Sequence, residues 1–214
     1  MVRLPTSIRE INDLTEQEKR GIYATLIPQL VIDTYNIDLT SLGQHGQIRH
    51  VHPAGSRAME MSIYRTPADY DPLLYLNMAD TFDGQLIVLL VVANDLDRPR
   101  FNIDCDSHGN KTYLGTAGRN IAAERAAMTA GLSPGQIRHG LRVFRSAVPV
   151  FERFVSRMQH DIFLIEPLAY HNAIVFERYG FNYMRGLKAM QAIHAGFQPN
   201  REYHRLLTPD NPFR

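Results

Sequence analysis

Residues 86–93 read Leu-Ile-Val-Leu-Leu-Val-Val-Ala, an unbroken apolar run. It falls far short of the roughly 20 residues a membrane-spanning helix needs. Its Val and Ile content favours extended backbone. A strand apolar on both faces has to be covered on both sides, so this run is expected near the middle of a sheet. Asp83-Gly84 just before it is a hairpin signal, with Leu73–Met78 as the other arm. Met59–Tyr64 alternates, placing Met59, Met61 and Ile63 on one face and Glu60, Ser62 and Tyr64 on the other. Residues 100–107 alternate as well, with Phe101, Ile103 and Cys105 sharing a face, and predict a further strand.

Helical signals flank this strand region. Thr15 is placed to cap a helix whose first turn carries Glu16 and Glu18, and Pro28 divides or kinks it. Residues 119–132 are rich in Ala and stop at Gly131. Ser133-Pro134 suits a helix start, and the apolar spacing from Ile137 to Met158 predicts a long helix over 134–159, bent at Pro149. Residues 161–168 predict a strand, 171–179 a short helix and 181–186 another strand. The tail 187–214 reads as irregular. The expectation is one α+β domain over 1–214, with a mixed, mostly antiparallel sheet flanked by helices.

The formal net charge is +1 and there is one cysteine, Cys105. So balanced a charge gives no case for nucleic acid or an acidic partner, and no segment suits a membrane span. A lone cysteine forms no intrachain disulfide and fits a reducing compartment, so a cytoplasmic protein is expected. A small-molecule substrate is the expected partner. Residues 1–50 and 187–214 are the segments offered to a second subunit in a homodimer.

Several residues carry potential chemistry. His50 and His52 stand two apart, so on a strand they point the same way, as two ligands of one metal would. The nearest following acid, Glu60, is too distant to complete such a motif, and no metal is expected. Asp104 and Asp106 begin a stretch like a calcium loop but lack its downstream acid, and a turn at His108-Gly109-Asn110 explains them more simply. Cys105 reads as an inert thiol beside Phe101 and Ile103. His171 reads as a surface or capping residue. Arg138, Arg142, Arg145, Arg153 and Arg157 read as the solvated face of the long helix.

Asn172, Ala173, Phe176, Glu177, Arg178, Gly180 and Phe181, with Gly186 beyond, follow the order and spacing of a motif in the GNAT acyltransferase family. Thr112 to Ala117 follows that family's second motif, a turn of small residues before a helix. The C-terminal half, 100–186, thus resembles the GNAT family. The resemblance implies acetyl-CoA or another acyl-CoA as cosubstrate and an amine as acceptor. It implies pyrophosphate contacts from Gly115, Thr116, Ala117, Gly118 and Arg119, and a contact to the pantetheine arm or a phosphate from Asn172. It implies an acid on a middle strand, Glu60 or Asp104, as general base. It further implies that strands 100–107 and 161–167 part to hold the cosubstrate between them. Two positions depart from the pattern: Thr112 stands where Gln or Arg is usual, and Phe176 where many members have a Tyr general acid. The alternative is a GNAT-like binding or interaction module with a degraded CoA site.

Overall fold

The computed structural model describes residues 3–40, 46–106, 108–112 and 119–207. In chain order the elements are α1 (Ile8–Asn12), α2 (Glu16–Ala24), α3 (Gln29–Tyr35), β1 (Ile48–Val51), β2 (Ala58–Ile63), β3 (Leu74–Asp80), β4 (Leu86–Ala93), α4 (Ile121–Thr129), α5 (Phe144–Arg157), β5 (Leu164–Ile165), α6 (Tyr170–Arg178), α7 (Leu187–Gly196) and α8 (Glu202–Leu206). This is an α+β arrangement with a mixed five-stranded sheet. None of the described helices is long and apolar enough to cross a membrane. The chain divides into two compact units, 1–96 with 140–166, and 97–139 with 167–214.

The first unit holds the sheet, in the order β1-β2-β3-β4-β5. Neighbours are antiparallel from β1 to β4, and β5 runs parallel to β4. The expected hairpin joins β3 to β4, with Gly84 at φ 80 in its turn. One sheet face is apolar. Ile48, Met59, Met61, Ile63 and Met78 bury there with Ile8 and Ile11 of α1, Tyr23 of α2, Val31 of α3 and Phe154, Val155 and Met158 of α5. Each such side chain contributes about 1.5–3 kcal/mol by leaving water. Thr15 caps α2 with Glu18 in a reciprocal capping box. Pro28 ends that run and opens α3. The N-terminus of α1 is capped from across the unit. Both carboxylate oxygens of Asp80 accept from it, Oδ1 from the Ile8 N–H at 2.8 Å and Oδ2 from the Arg9 N–H at 2.9 Å.

The second unit holds α4, α6, α7, α8 and connecting loops. Two helices end in the same way. At α6, Gly180 at φ 88 lets its N–H reach the Glu177 carbonyl, and the Phe181 N–H reaches the Phe176 carbonyl. The Phe176 and Phe181 rings then meet at 5.5 Å. This is a Schellman cap with its hydrophobic contact. Gly131 and Leu132 close α4 with the same pair of bonds.

Four sequence expectations need correcting. Residues 100–107 form no strand: the described ones turn through loops, and only Cys105 bridges, to Lys111. Side chains supply the reason. Asp104 pairs with Arg100, while Asp106 accepts from the His108 and Asn110 N–H groups, both at 2.8 Å. Such local bonds compete with a sheet ladder. The long helix spans only 144–157, because Gly135 at φ 86 and Arg142 at φ 57 interrupt the helical path before it. Residues 181–186 form no strand, and Gly186 at φ 84 is instead the N-cap of α7. The described part of the tail is not irregular, since it forms α7 and α8.

Candidate functional site

The sheet face opposite the core is where polar residues gather. Antiparallel register puts Glu60 of β2 opposite Asn77 of β3, Ser62 opposite Tyr75, and Asn77 opposite Leu90 of β4. On β1, Arg49 lies opposite Ser62. Side chains alternate between faces along a strand. Arg49, Glu60, Ser62, Tyr75 and Asn77 therefore share one face, and all are half-buried. The Tyr75 hydroxyl donates to Glu60 Oε2 at 2.8 Å, and Asn77 Nδ2 donates to the Tyr75 oxygen at 3.5 Å. Burial first, then the bond to Glu60, push the Tyr75 phenol up to about 12. It therefore stays protonated at neutral pH and serves as a fixed donor to the carboxylate. Asn77 Oδ1 is buried without a described partner.

This polar lane runs toward an irregular part of β4. The β3–β4 register shifts between Asn77 and Met78, so Leu89 is an extra residue between the Val88 and Leu90 pairs. On the other edge of β4, β5 pairs only at Ile87↔Leu164 and Val88↔Ile165, with Glu166 N–H reaching the Val88 carbonyl. The strands pair no further. The next backbone bond on that edge runs from Leu141 N–H to the Ala93 carbonyl at 3.2 Å. Asn94 N–H donates to the Leu73 carbonyl at 2.8 Å. That bond fixes the alternation: Asn94, Val92 and Leu90 turn their backbone groups toward β3, and Val91 turns its own outward. Val91 N–H and C=O have no described backbone partner there. Leu90 and Val91 are 36% and 41% exposed, so this stretch of an otherwise covered strand is open.

The other expected site residues lie elsewhere in the fold. Asp104 belongs to a loop of the second unit, where Oδ2 accepts from Arg100 at 2.7 Å and its backbone carbonyl accepts from Thr112 N–H. Gly115, Thr116, Ala117 and Gly118 lie outside the described residues. The Arg119 guanidinium is engaged by both oxygens of Glu124, which raises its pKa. Asn172 sits in the first turn of α6, but Ala169 is the N-cap and no side chain caps that helix. His171 beside it is half-buried, and burial lowers its pKa. Cys105 is a free, half-buried thiol. The expected parting of strand 100–107 from 161–167 does not occur, because the first of these is not a strand. The parting that does occur lies between β4 and β5.

His50 and His52 form a second polar group, on the core side of β1. Their rings stand 5.4 Å apart, and both lie near the Tyr23 ring, at 6.2 and 5.7 Å. The Nε2 atoms of both are buried without a described partner. Lys19 Nζ lies close by, bonded to the His52 and Asn12 carbonyls and to Glu16. An ammonium beside the pair opposes a cation. No cluster of three metal-ligating side chains occurs among the described residues.

Reasoning from sequence singled out Glu60 but not Tyr75, Asn77 or Arg49. The signal was available in the hairpin: Asp83-Gly84 fixes a turn, and counting back from it puts Tyr75 and Asn77 on the face away from Met78. Neither a scan of protein-family models nor searches of curated proteins and of solved structures finds a match to this chain.

Proposed function

We propose that the first unit is the catalytic part of an acyl-CoA-dependent N-acyltransferase resembling the GNAT family. One observation carries the reading. A polar lane anchored on Glu60 runs beside a sheet edge where two parallel strands part and leave the Val91 amide outward.

In this mechanism Glu60, two strands from the Val91 edge, takes a proton from the acceptor amine through bridging water as the nitrogen bonds to the thioester carbonyl carbon. The Val91 N–H donates to the carbonyl oxygen as negative charge grows there. The carbon–sulfur bond breaks, an amide forms, and the sulfur leaves as thiolate, to be protonated by water. Glu60 gives its proton to solvent. Tyr75 is a positioning residue: its hydroxyl fixes the Glu60 carboxylate and shields it from closing on other donors. The resemblance assigns phosphate contacts to residues 115–119. Of the described ones, Arg119 is already paired with Glu124, which counts against its guanidinium in that role.

That Arg119 pair also supports a second reading, a GNAT-like module that binds a small molecule without transferring an acyl group. Thermal shift with acetyl-CoA, combined with detection of released thiol, separates the two. A ligand that binds only the folded state raises the melting temperature. Acyl transfer predicts a shift, thiol release with a suitable amine, and a fall of at least a hundredfold in Glu60→Gln with the shift retained. No shift at millimolar acetyl-CoA would sink both the transfer and the cosubstrate assignment.

A further inference from the structure

Arg49 is an unusual cation. Its guanidinium carbon lies 3.9 Å from the centre of the Tyr64 ring, and one terminal nitrogen donates to the Pro67 carbonyl at 2.7 Å. Stacking and this bond hold the plane in one orientation. The residue is half-buried, yet none of the described ion pairs gives it a carboxylate. Its Nε is buried without a described partner. Buried donors are nearly always satisfied, and a fixed guanidinium lacking an acid has the geometry that accepts a carboxylate.

Its position relative to Glu60 narrows the ligand. Arg49 lies opposite Ser62, and Glu60 lies opposite Val51. The two are therefore diagonal neighbours on adjacent strands, about 7–8 Å apart at the backbone. Arg49 leans away from Glu60, toward Tyr64 and Pro67. Both side chains rise from the same face of the sheet, so one molecule lying along it can present an acid to Arg49 and an amine toward Glu60.

We infer that the acceptor is an amine bearing its own carboxylate, an amino acid, with the carboxylate on Arg49 and the amine at Glu60. This rests on the acyl-transfer reading for its chemistry, but the carboxylate seat is a separate claim. An acceptor lacking the acid would leave the guanidinium unpaired and lose the constraint that aims nitrogen at the base.

The test uses the full chain, acetyl-CoA and matched acceptors: phenylalanine with phenethylamine, leucine with isoamylamine, and glycine with methylamine. Products are counted by mass spectrometry and acceptor binding by thermal shift. The inference expects at least one amino acid to exceed its decarboxylated partner by about 10–100-fold in kcat/KM, the worth of a charge-assisted bond. Arg49→Gln should bring that ratio close to one, mainly through KM, and Arg49→Lys should restore part of it. Equal use of both members of every pair, with acetylation intact, overturns the carboxylate seat and leaves the acyl-transfer reading standing. Amino-acid binding that depends on Arg49, without acetylation of any amine, supports the seat and removes the transfer. Absence of both overturns the inference. Should Arg49→Gln lose its cooperative melt, the unmodified chain's preference between pair members decides alone.

Discussion

The half-buried His50 makes acid stability a sharp test of how the first unit is assembled. Burial, with smaller repulsion from His52 and Arg20 that Glu16 partly offsets, holds the His50 imidazole at about 4. In an unfolded chain it titrates near 6.5. The folded pKa is the lower one, so the folded state is the one that refuses the proton. Its contribution to stability is complete above pH 6.5 and is lost as pH falls toward 4. The maximum slope is about 1.4 kcal/mol per pH unit, which gives about 2 kcal/mol between pH 7 and 5. Partial exposure of the ring trims this to about 1–2 kcal/mol. His52 is lowered too, chiefly by burial, and adds in the same direction. The groups facing the pair are Tyr23, Lys19, Glu16 and Arg20. Carboxylates elsewhere also lose stability in acid, so the diagnostic quantity is a difference between proteins. Urea unfolding of the natural chain and of His50→Phe is compared at pH 7.5, 6 and 5. His50→Phe keeps a ring against Tyr23 and removes an unsatisfied nitrogen, so the two should agree within about 1 kcal/mol at pH 7.5. At pH 5 the variant should be ahead by about 1–2 kcal/mol relative to that baseline. A gap that does not widen as pH falls would refute the claim that this imidazole is buried neutral against α2.

Other outcomes follow from the same structure. Asp80→Ala should destabilise by about 2–3 kcal/mol, because two charge-assisted bonds to the α1 N-terminus are lost; Asp80→Asn should cost roughly half, and equal unfolding midpoints for all three would refute the cap. Tyr75→Phe should lower the proposed acyl transfer about tenfold in kcat/KM, since Glu60 loses the donor that holds it; an unchanged rate would remove Tyr75 from the site. Gly180→Ala should cost about 1 kcal/mol or more through φ 88 at the α6 cap, measured by thermal melting.

The elements legible in the sequence are those written in local chemistry. Thr15 and Glu18, Asp83-Gly84, and the apolar run 86–93 each specify a structure through neighbours a few residues away, and each forms. Residues 100–107 misled because alternation is necessary for a strand but not sufficient. Asp104 and Asp106 found bonds nearer than any sheet partner. Gly180-Phe181, a main support of the family resemblance, has a full local explanation as the α6 cap, so its spacing alone says less about a ligand than it first suggests. Glu60 was legible as a candidate base through the family resemblance, which implies an acid on a middle strand, and through the alternation that sets it apart from Met59 and Met61. What holds it was not, because Tyr75 reaches it only through a two-strand register, and Arg49 joins the same face only through a third strand.

Bare strand edges normally recruit any extended peptide, and proteins charge, bend or cover them for that reason. Here the unzipped part of β4 is bracketed by the β5 ladder below and by the Leu141 bond above. The opening is too brief to seat a whole foreign strand. The brackets on either side of it thus act as a guard against intermolecular stacking.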